Sequence, residues 1–96
     1  MAILAVDFDG TLQLNGGAAN ALLFAHLIQC QRRGDIVILW TCRTGKRLVE
    51  AVQFCTANGL RPNYVNDNAP EVIRRLGANP RKIYADVYID DKGWFP

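Results

Sequence analysis

Val6-Asp7-Phe8-Asp9-Gly10-Thr11 decides the fold, because it follows directly on the apolar run from Ala2 to Val6. That run is continuous rather than alternating, which is typical of a short strand buried on both faces. Side chains two positions apart lie on the same side of a strand, but Gly10 indicates that the chain turns at once. The sequence therefore predicts that two carboxylates collect at the end of the first strand.

Two carboxylates held this close repel each other, so they need a cation, a shared proton or both. Hard oxygen ligands with no His or Cys nearby favour Mg²⁺ over zinc. The alternative is an ordinary loop in which one of the two acids caps a helix, and a motif this short does not exclude it.

Composition sets limits on the kind of protein. The 96 residues are half apolar and about a fifth charged, which predicts one globular domain over residues 1–96. A net charge of +2 is too small to indicate nucleic acid or an anionic membrane as a partner. No apolar run is long enough to span a bilayer, and the N-terminus lacks a secretion signal. The odd number of cysteines, without metal-type spacing, favours free thiols in the reducing cytoplasm.

Apolar runs and helical patterns alternate along the chain. The expected helices lie at about 18–33, 44 or 45–57, and 71–76, and the expected strands at 2–6, 36–40, 62–65 and 84–89. With right-handed crossovers, this order predicts an α/β fold, namely a small doubly wound, Rossmann-like parallel sheet of about four strands. Pro62 indicates that the third strand lies at or near an edge.

The apolar positions of the two long helices predict which faces are buried. The first helix has two inner rows, comprising Leu23, Leu27 and Cys30, and Phe24, Ile28 and Gln31. The second has one, comprising Leu48, Val49, Val52 and Cys55. Leu22 makes the first helix more apolar than one buried face requires, which indicates either a second subunit or a deep groove. His26 is expected to be a partly buried structural residue.

Polar residues follow all four predicted strands. They are Asp7 and Asp9, Thr41 and Arg43, Asn66 and Asp67, and Asp90 and Asp91. Ligands of doubly wound sheets bind outside the carboxyl ends of the strands, where the strand order reverses. The four polar ends together predict a functional site at this edge.

These residue types suit phosphoryl transfer. Asp7 can attack phosphorus, while Asp9, with a pKa raised by its neighbours, can donate and later accept a proton. Thr41 offers a hydroxyl and Lys82 a positive charge for the phosphoryl oxygens, and Asp90, with Asp91, completes an oxygen shell for a metal. Each also has an ordinary structural role: Thr41 as a helix cap, Lys82 as a surface lysine, and the last acid pair as a turn.

The chain resembles the haloacid dehalogenase-like hydrolases in four places. Asp7-Phe8-Asp9-Gly10-Thr11, the strand ending in Thr41, a lysine ahead of the last strand, and Ile89-Asp90-Asp91 match the four motifs of that family, in order. The resemblance implies Asp7 as nucleophile, Asp9 as general acid and base, Thr41 and Lys82 on the phosphoryl group, and Asp90 as a ligand of Mg²⁺. It also implies a further metal ligand, the backbone carbonyl of Asp9. The acid at position 9 resembles the pattern found in the phosphatase branch of that family.

The chain departs from the family pattern in three ways. It has no room for the usual cap domain, so the site is expected to be open unless a homo-oligomer covers it. Arg81 or Lys46 are alternatives to Lys82. The chain stops soon after the fourth motif without the usual fifth strand, which makes Trp94 and Phe95 candidates for packing or subunit contact.

The expected function is that of a Mg²⁺-dependent phosphatase acting through an aspartyl-phosphate. Arg43 and Lys46 are predicted to contact the substrate beyond its phosphate, with a surface role as the alternative, and Gly10 is expected to line the same site. The alternatives are a receiver-like phosphoacceptor domain and a metal-binding assembly module without turnover. The substrate, small molecule or macromolecule, is not identified by these motifs.

Overall fold

The computed structural model describes residues 1–95 and confirms the predicted α/β class. The elements of this part of the chain are β1 (Ile3–Val6), α1 (Ala21–Arg32), β2 (Ile36–Leu39), α2 (Gly45–Ala57), β3 (Tyr64–Val65), α3 (Pro70–Leu76), β4 (Val87–Asp90) and β5 (Gly93–Phe95). None of the described helices is long and apolar enough to cross a membrane.

The strands form one sheet in the order β3-β2-β1-β4-β5. The first four are parallel, and β3 lies at an edge as Pro62 predicted. The prediction of about four strands is one short, because β5 returns antiparallel to β4. The reversal is stabilised by Asp90 Oδ1, which accepts the Lys92 N–H at 2.8 Å. Trp94 is part of β5, whereas the side chain of Phe95 lies outside the described residues.

Alternation along β1 and β2 gives the sheet two buried faces. One face packs against α1 and α2 and carries Leu4, Val6, Val37 and Leu39. The other packs against α3 and the segment 83–85 and carries Ile3, Ala5, Ile36 and Ile38. β4 begins three residues later than predicted because this segment crosses the second face before joining the sheet. Tyr84 N there donates to Asn68 Oδ1 at 2.7 Å.

The first helix confirms most of its predicted buried face. Leu23, Phe24, Leu27 and Cys30 are buried. The helix begins at Ala21 because Asn20 caps it, its Oδ1 accepting the Leu23 N–H at 3.3 Å. Leu22 is 87% exposed. His26 is also exposed, so its predicted burial is wrong.

The second helix confirms its predicted buried face at Cys55 and, in part, at Leu48 and Val52, but not at Val49. Ala51 and Cys55 are its buried residues, whereas Val49 is 55% exposed. Residues two positions apart point about 200° apart around a helix, so contact through Ala51 turns Val49 outward. The prediction is wrong at Val49 because it favoured large apolar side chains, whereas the small side chain of Ala51 lets α2 approach the core closely.

A short exposed loop joins β1 to α1. Its two ends are held together, since Gln13 bridges to Ala19 and Leu14 N donates to Ala18 O at 2.8 Å. Gly16 and Gly17 form its tip with φ of +94° and +97°, a region that residues with a Cβ rarely adopt. A Cβ at either glycine would have no atom within 4 Å beyond its own chain neighbours.

We expect Asp35→Ala to lower the free energy of unfolding by about 1–2 kcal/mol near pH 7, because a charged acceptor is lost from the sheet. Asp35 Oδ1 accepts the Ala2 N–H at 2.9 Å, ahead of β1. That bond, with a smaller contribution from Arg33, lowers the pKa of Asp35. The stabilisation is therefore present above the ordinary carboxyl pKa and lost as the pH falls through the lowered one. Urea unfolding at about pH 7 and about pH 3 measures both effects.

Glu71→Ala is the matched control. Glu71 is exposed and lies 3.9 Å from Arg74, a surface pair that contributes little. Its loss should change stability by less than about 0.5 kcal/mol. An equal loss in the Asp35 and Glu71 variants would contradict the assignment to the Ala2 hydrogen bond.

Candidate functional site

The acids of the first and last motifs meet where the strand order reverses. Val6 of β1 is in register with Ile89 of β4, so Asp7 and Asp90 follow side by side at the carboxyl edge. Asp7 N donates to Ile89 O at 2.9 Å, which extends the pairing one residue beyond β1. The two most distant motifs of the chain therefore lie together at the position where ligands of such sheets bind.

Burial and like charge act together on Asp7. Its pKa is raised, first by burial and then by the charges of Asp9, Asp91 and Asp90. The Phe8 N–H, which donates to Asp7 Oδ1 at 2.8 Å, works in the opposite direction and offsets part of the rise. A half-buried carboxylate among three others is a group that a cation would stabilise.

A tight turn carries the chain away after Asp7. Phe8 is buried against Phe54, with the ring centroids 5.5 Å apart, and its carbonyl accepts the N–H groups of residues 11–13. Gly10 has a φ of +76°, and a Cβ there would lie 3.4 Å from the Cβ of Asp91. Gly10 thus serves both the turn and the close approach of the first motif to the last.

Arg43 binds Asp9 through two parallel hydrogen bonds. Nη2 lies 2.7 Å from Oδ1 and Nε lies 3.0 Å from Oδ2. The guanidinium also lies over the Phe8 ring, 4.7 Å from its centroid, and only 13% of the Arg43 side chain is exposed. The pair lowers the pKa of Asp9, so the expected rise is wrong. The reason is that the hydrogen bond and the charge of Arg43, with a smaller contribution from Arg47, outweigh the opposing effect of burial.

Thr41 is held by the neighbouring strand end. Asn66 Oδ1 accepts the Thr41 N–H at 2.8 Å, and Asn66 Nδ2 donates to Thr41 O at 2.9 Å. The Thr41 hydroxyl accepts the Arg43 N–H at 3.1 Å, whereas the N-cap position of α2 is Thr44. Asn66, which the sequence placed at this edge without a role, is therefore a positioning residue. Its signal was an Asn directly after a strand, and its φ of +51° is one that Asn tolerates.

Lys82 forms no ion pair with the acids of the site in residues 1–95. It is exposed and lines a cavity of about 370 Å³ together with Leu76, Tyr84 and Tyr88. Over residues 1–95 it forms no ion pair, and the cation that contacts a site carboxylate is Arg43. The phosphoryl role assigned to Lys82 by resemblance therefore stays a prediction. Its alternatives Arg81 and Lys46 are exposed as well.

The acids fit a hard divalent cation in the kind of donor they offer. Asp7, Asp90 and Asp91 supply only carboxylate oxygens, which suit Mg²⁺. Within the described chain, no three Asp, Glu, His or Cys side chains already form a cluster that would hold a metal. Asp9 is turned towards Arg43 instead, so an ion binding here would have to draw the other carboxylates together.

Comparison with known proteins identifies one similar solved structure. It is that of a conserved protein from Bacteroides thetaiotaomicron, with 34% sequence identity and a TM-score of 0.79. The alignment covers 99% of this chain and 81% of that one. No family model matches the chain, and no curated protein matches it.

Proposed function

We propose that this chain, which belongs to the same family as the conserved Bacteroides protein, is a Mg²⁺-dependent phosphomonoester hydrolase of the haloacid dehalogenase-like type. The proposal proceeds from that membership and from the acids of this chain. The observation that carries the proposal is Asp7, half-buried beside Asp90 at the carboxyl edge of β1, with its pKa raised by burial and neighbouring acids. An acid in that setting gains most from a bound cation and is a nucleophile when ionised.

In the first step, a carboxylate oxygen of Asp7 forms a bond to phosphorus, and the bond between phosphorus and the leaving oxygen breaks. The leaving oxygen takes the electron pair and receives a proton from Asp9. The hydroxyl of Thr41, whose backbone is held by Asn66, donates a hydrogen bond to a phosphoryl oxygen.

In the second step, Asp9 accepts a proton from water, and the water oxygen attacks the phosphorus of phospho-Asp7. The acyl-phosphate bond breaks, inorganic phosphate leaves, and the Asp7 carboxylate is regenerated. Asp7, Asp90 and Asp91 would hold Mg²⁺, which when bound neutralises charge on the phosphoryl oxygens.

Arg43 has to release Asp9 for this sequence to run. The bidentate pair favours ionised Asp9, whereas the first step needs the protonated acid. A substrate phosphate is a competing anion for the same guanidinium. We infer that substrate binding draws Arg43 away and lets Asp9 take up its proton.

The proposal includes the cellular setting and the partner. Cys30, Cys42 and Cys55 are free thiols in the described chain, which supports a reducing, cytoplasmic setting. The partner is a phosphorylated substrate, reached through an open site or one covered by a second copy of the chain.

Turnover of 4-nitrophenyl phosphate with Mg²⁺, and its loss in EDTA, is the direct test. We expect a covalent phosphoenzyme, trapped by acid quench and released by hydroxylamine as an acyl-phosphate is. Lack of turnover across aryl, sugar, nucleotide and peptide phosphates would contradict the proposal. A long-lived phosphoenzyme that releases no phosphate would favour the receiver-like alternative, and Mg²⁺ binding without either would favour the assembly module.

A further inference from the structure

The helices cover one face of the sheet over only part of its width. α1 and α2 pack on the face that carries Leu4 and Leu39, whereas α3 packs on the opposite face. Ile89 of β4 belongs to the same core as α1, and Trp94 of β5 is paired with it, so both side chains lie on this face. Ile89 is buried, but Trp94 is 52% exposed. The helical layer therefore leaves the β5 end of this face open.

A cavity of about 430 Å³ lies at this open end. Leu22, His26 and Trp94 line it, and the rings of His26 and Trp94 lie 4.9 Å apart. Its charged lining residues are Asp90 and Asp91, which belong to the site already described. The part of the cavity beside α1 is therefore a concave surface without charged residues, bounded by a helix and a tryptophan.

The exposed side of α1 carries no charged residue over its first three turns. Residues 10–31 contain no Asp, Glu, Lys or Arg, although about a fifth of the chain is charged. Leu22 is 87% exposed, and Ala21, Ala25 and His26 beside it are exposed as well. A surface helix normally presents charged or polar residues to water. This side of α1 instead has the composition of an interface core, in which charged residues are depleted.

Charge favours a second copy of the chain as the occupant of this surface. A two-fold contact places the same patch of both copies face to face, so a charge near the axis meets its own like. The exposed sides of α2 and α3 carry charges such as Lys46, Glu50 and Arg74, whereas that of α1 meets this requirement. The small side chains of Ala21 and Ala25 allow two helices to approach closely there.

We propose that the side of α1 formed by Ala21, Leu22, Ala25 and His26, together with Trp94, is the surface on which a second copy of this chain docks. Two α1 helices cross at a two-fold axis, and Leu22 of each copy packs against His26 and Trp94 of the other. The contact completes the helical layer over β5 and removes Leu22 from water. It does not depend on the proposed phosphatase chemistry.

Sedimentation velocity from about 1 µM to about 1 mM measures the association, since this range spans the dissociation constants of weak and stable dimers. We expect the wild type to form a dimer. Leu22→Asp, which places two like charges at the axis, should raise the dissociation constant at least about tenfold. Val49→Asp adds the same charge at an exposed apolar residue of α2 and should leave the dissociation constant unchanged. Both positions are exposed, so circular dichroism should show that both variants are folded.

Contacts between the two copies can be observed directly in a mixture of isotope-labelled and unlabelled protein. We expect nuclear Overhauser effects from the Leu22 methyl groups of one copy to the Trp94 ring of the other. A wild type that stays monomeric at about 1 mM would overturn the proposal and leave this surface to a different protein. A dimer that Leu22→Asp and Val49→Asp weaken equally, or one whose contacts between copies come from α2, would overturn it as well.

Discussion

Replacing Asp7 by Asn is expected to lower turnover of an aryl phosphate by at least about 10³-fold, because an amide cannot form the acyl-phosphate. The substitution keeps the local fold, since an Asn Oδ1 can still accept the Phe8 N–H that Asp7 accepts at 2.8 Å. Steady-state kinetics with Mg²⁺ and acid-quench trapping of the phosphoenzyme measure the loss.

The same variant should be more stable than the wild type near neutral pH without Mg²⁺. Burial and three neighbouring acids raise the pKa of Asp7. Its ionisation therefore lowers the free energy of unfolding as the pH rises above the ordinary carboxyl pKa, and by the full amount above the raised pKa. Removing the charge removes the cost, and thermal unfolding should show a higher midpoint. A loss of activity with a gain in stability distinguishes a strained functional group from a misfolded variant.

Asp67→Asn is the matched control for Asp7→Asn. Asp67 also follows a strand of the sheet, but its Oδ1 accepts from Asn68 N at 2.8 Å and Asn79 Nδ2 at 2.9 Å. An amide oxygen can accept both bonds, so activity should stay within about twofold of wild type. Equal activity in wild type and Asp7→Asn would show that another residue attacks phosphorus.

Arg43→Met is expected to move the alkaline limb of the kcat/KM profile to higher pH. Hydrogen bonding and charge from Arg43 lower the pKa of Asp9, and the proton donor is lost as the pH rises through that value. Without the guanidinium, Asp9 keeps its proton to higher pH. On that limb we expect the kcat/KM of the variant to exceed that of the wild type, because more of its Asp9 still carries the proton.

Arg61→Met controls for the loss of one positive charge, because Arg61 is exposed and is not among the groups that act on Asp9. Its profile should match that of the wild type. A raised KM in Arg43→Met with an unmoved alkaline limb would contradict the control of the Asp9 pKa by Arg43 and favour the sequence-based prediction, in which Arg43 contacts the substrate beyond its phosphate. In Arg43→Lys the alkaline limb should return only part of the way to its wild-type position, because an ammonium cannot reproduce the two parallel hydrogen bonds.

The sequence predicted the features that depend on local pattern. Continuous apolar runs ending in acids or Thr identified β1 and β2, and the predicted ends of α2 and α3, at 57 and 76, match the structure. β5 escaped prediction because it begins at a glycine and contains no β-branched residue, and its pairing with β4 depends on the turn at Asp90.

The features that depend on distant partners could not be read from local pattern. The pKa of Asp9 is set by Arg43, 34 positions away, and the backbone of Thr41 is held by Asn66, 25 positions away. The position of Lys82 also depends on a distant partner. Asn68 Nδ2 donates hydrogen bonds to the carbonyl oxygens of Pro80 and Lys82, which fixes that segment over the second face of the sheet. Side chains that bind a backbone many residues away leave no periodic trace.

The loop between Gln13 and Ala19 has a consequence for engineering. Its ends are joined by a backbone hydrogen bond of 2.8 Å, and a Cβ at Gly16 or Gly17 would meet no other atom within 4 Å. Exposed tips of this kind accept foreign segments with little penalty to the host. A small folded module whose own ends lie close together can therefore be spliced in at Gly16-Gly17 and leave the sheet intact.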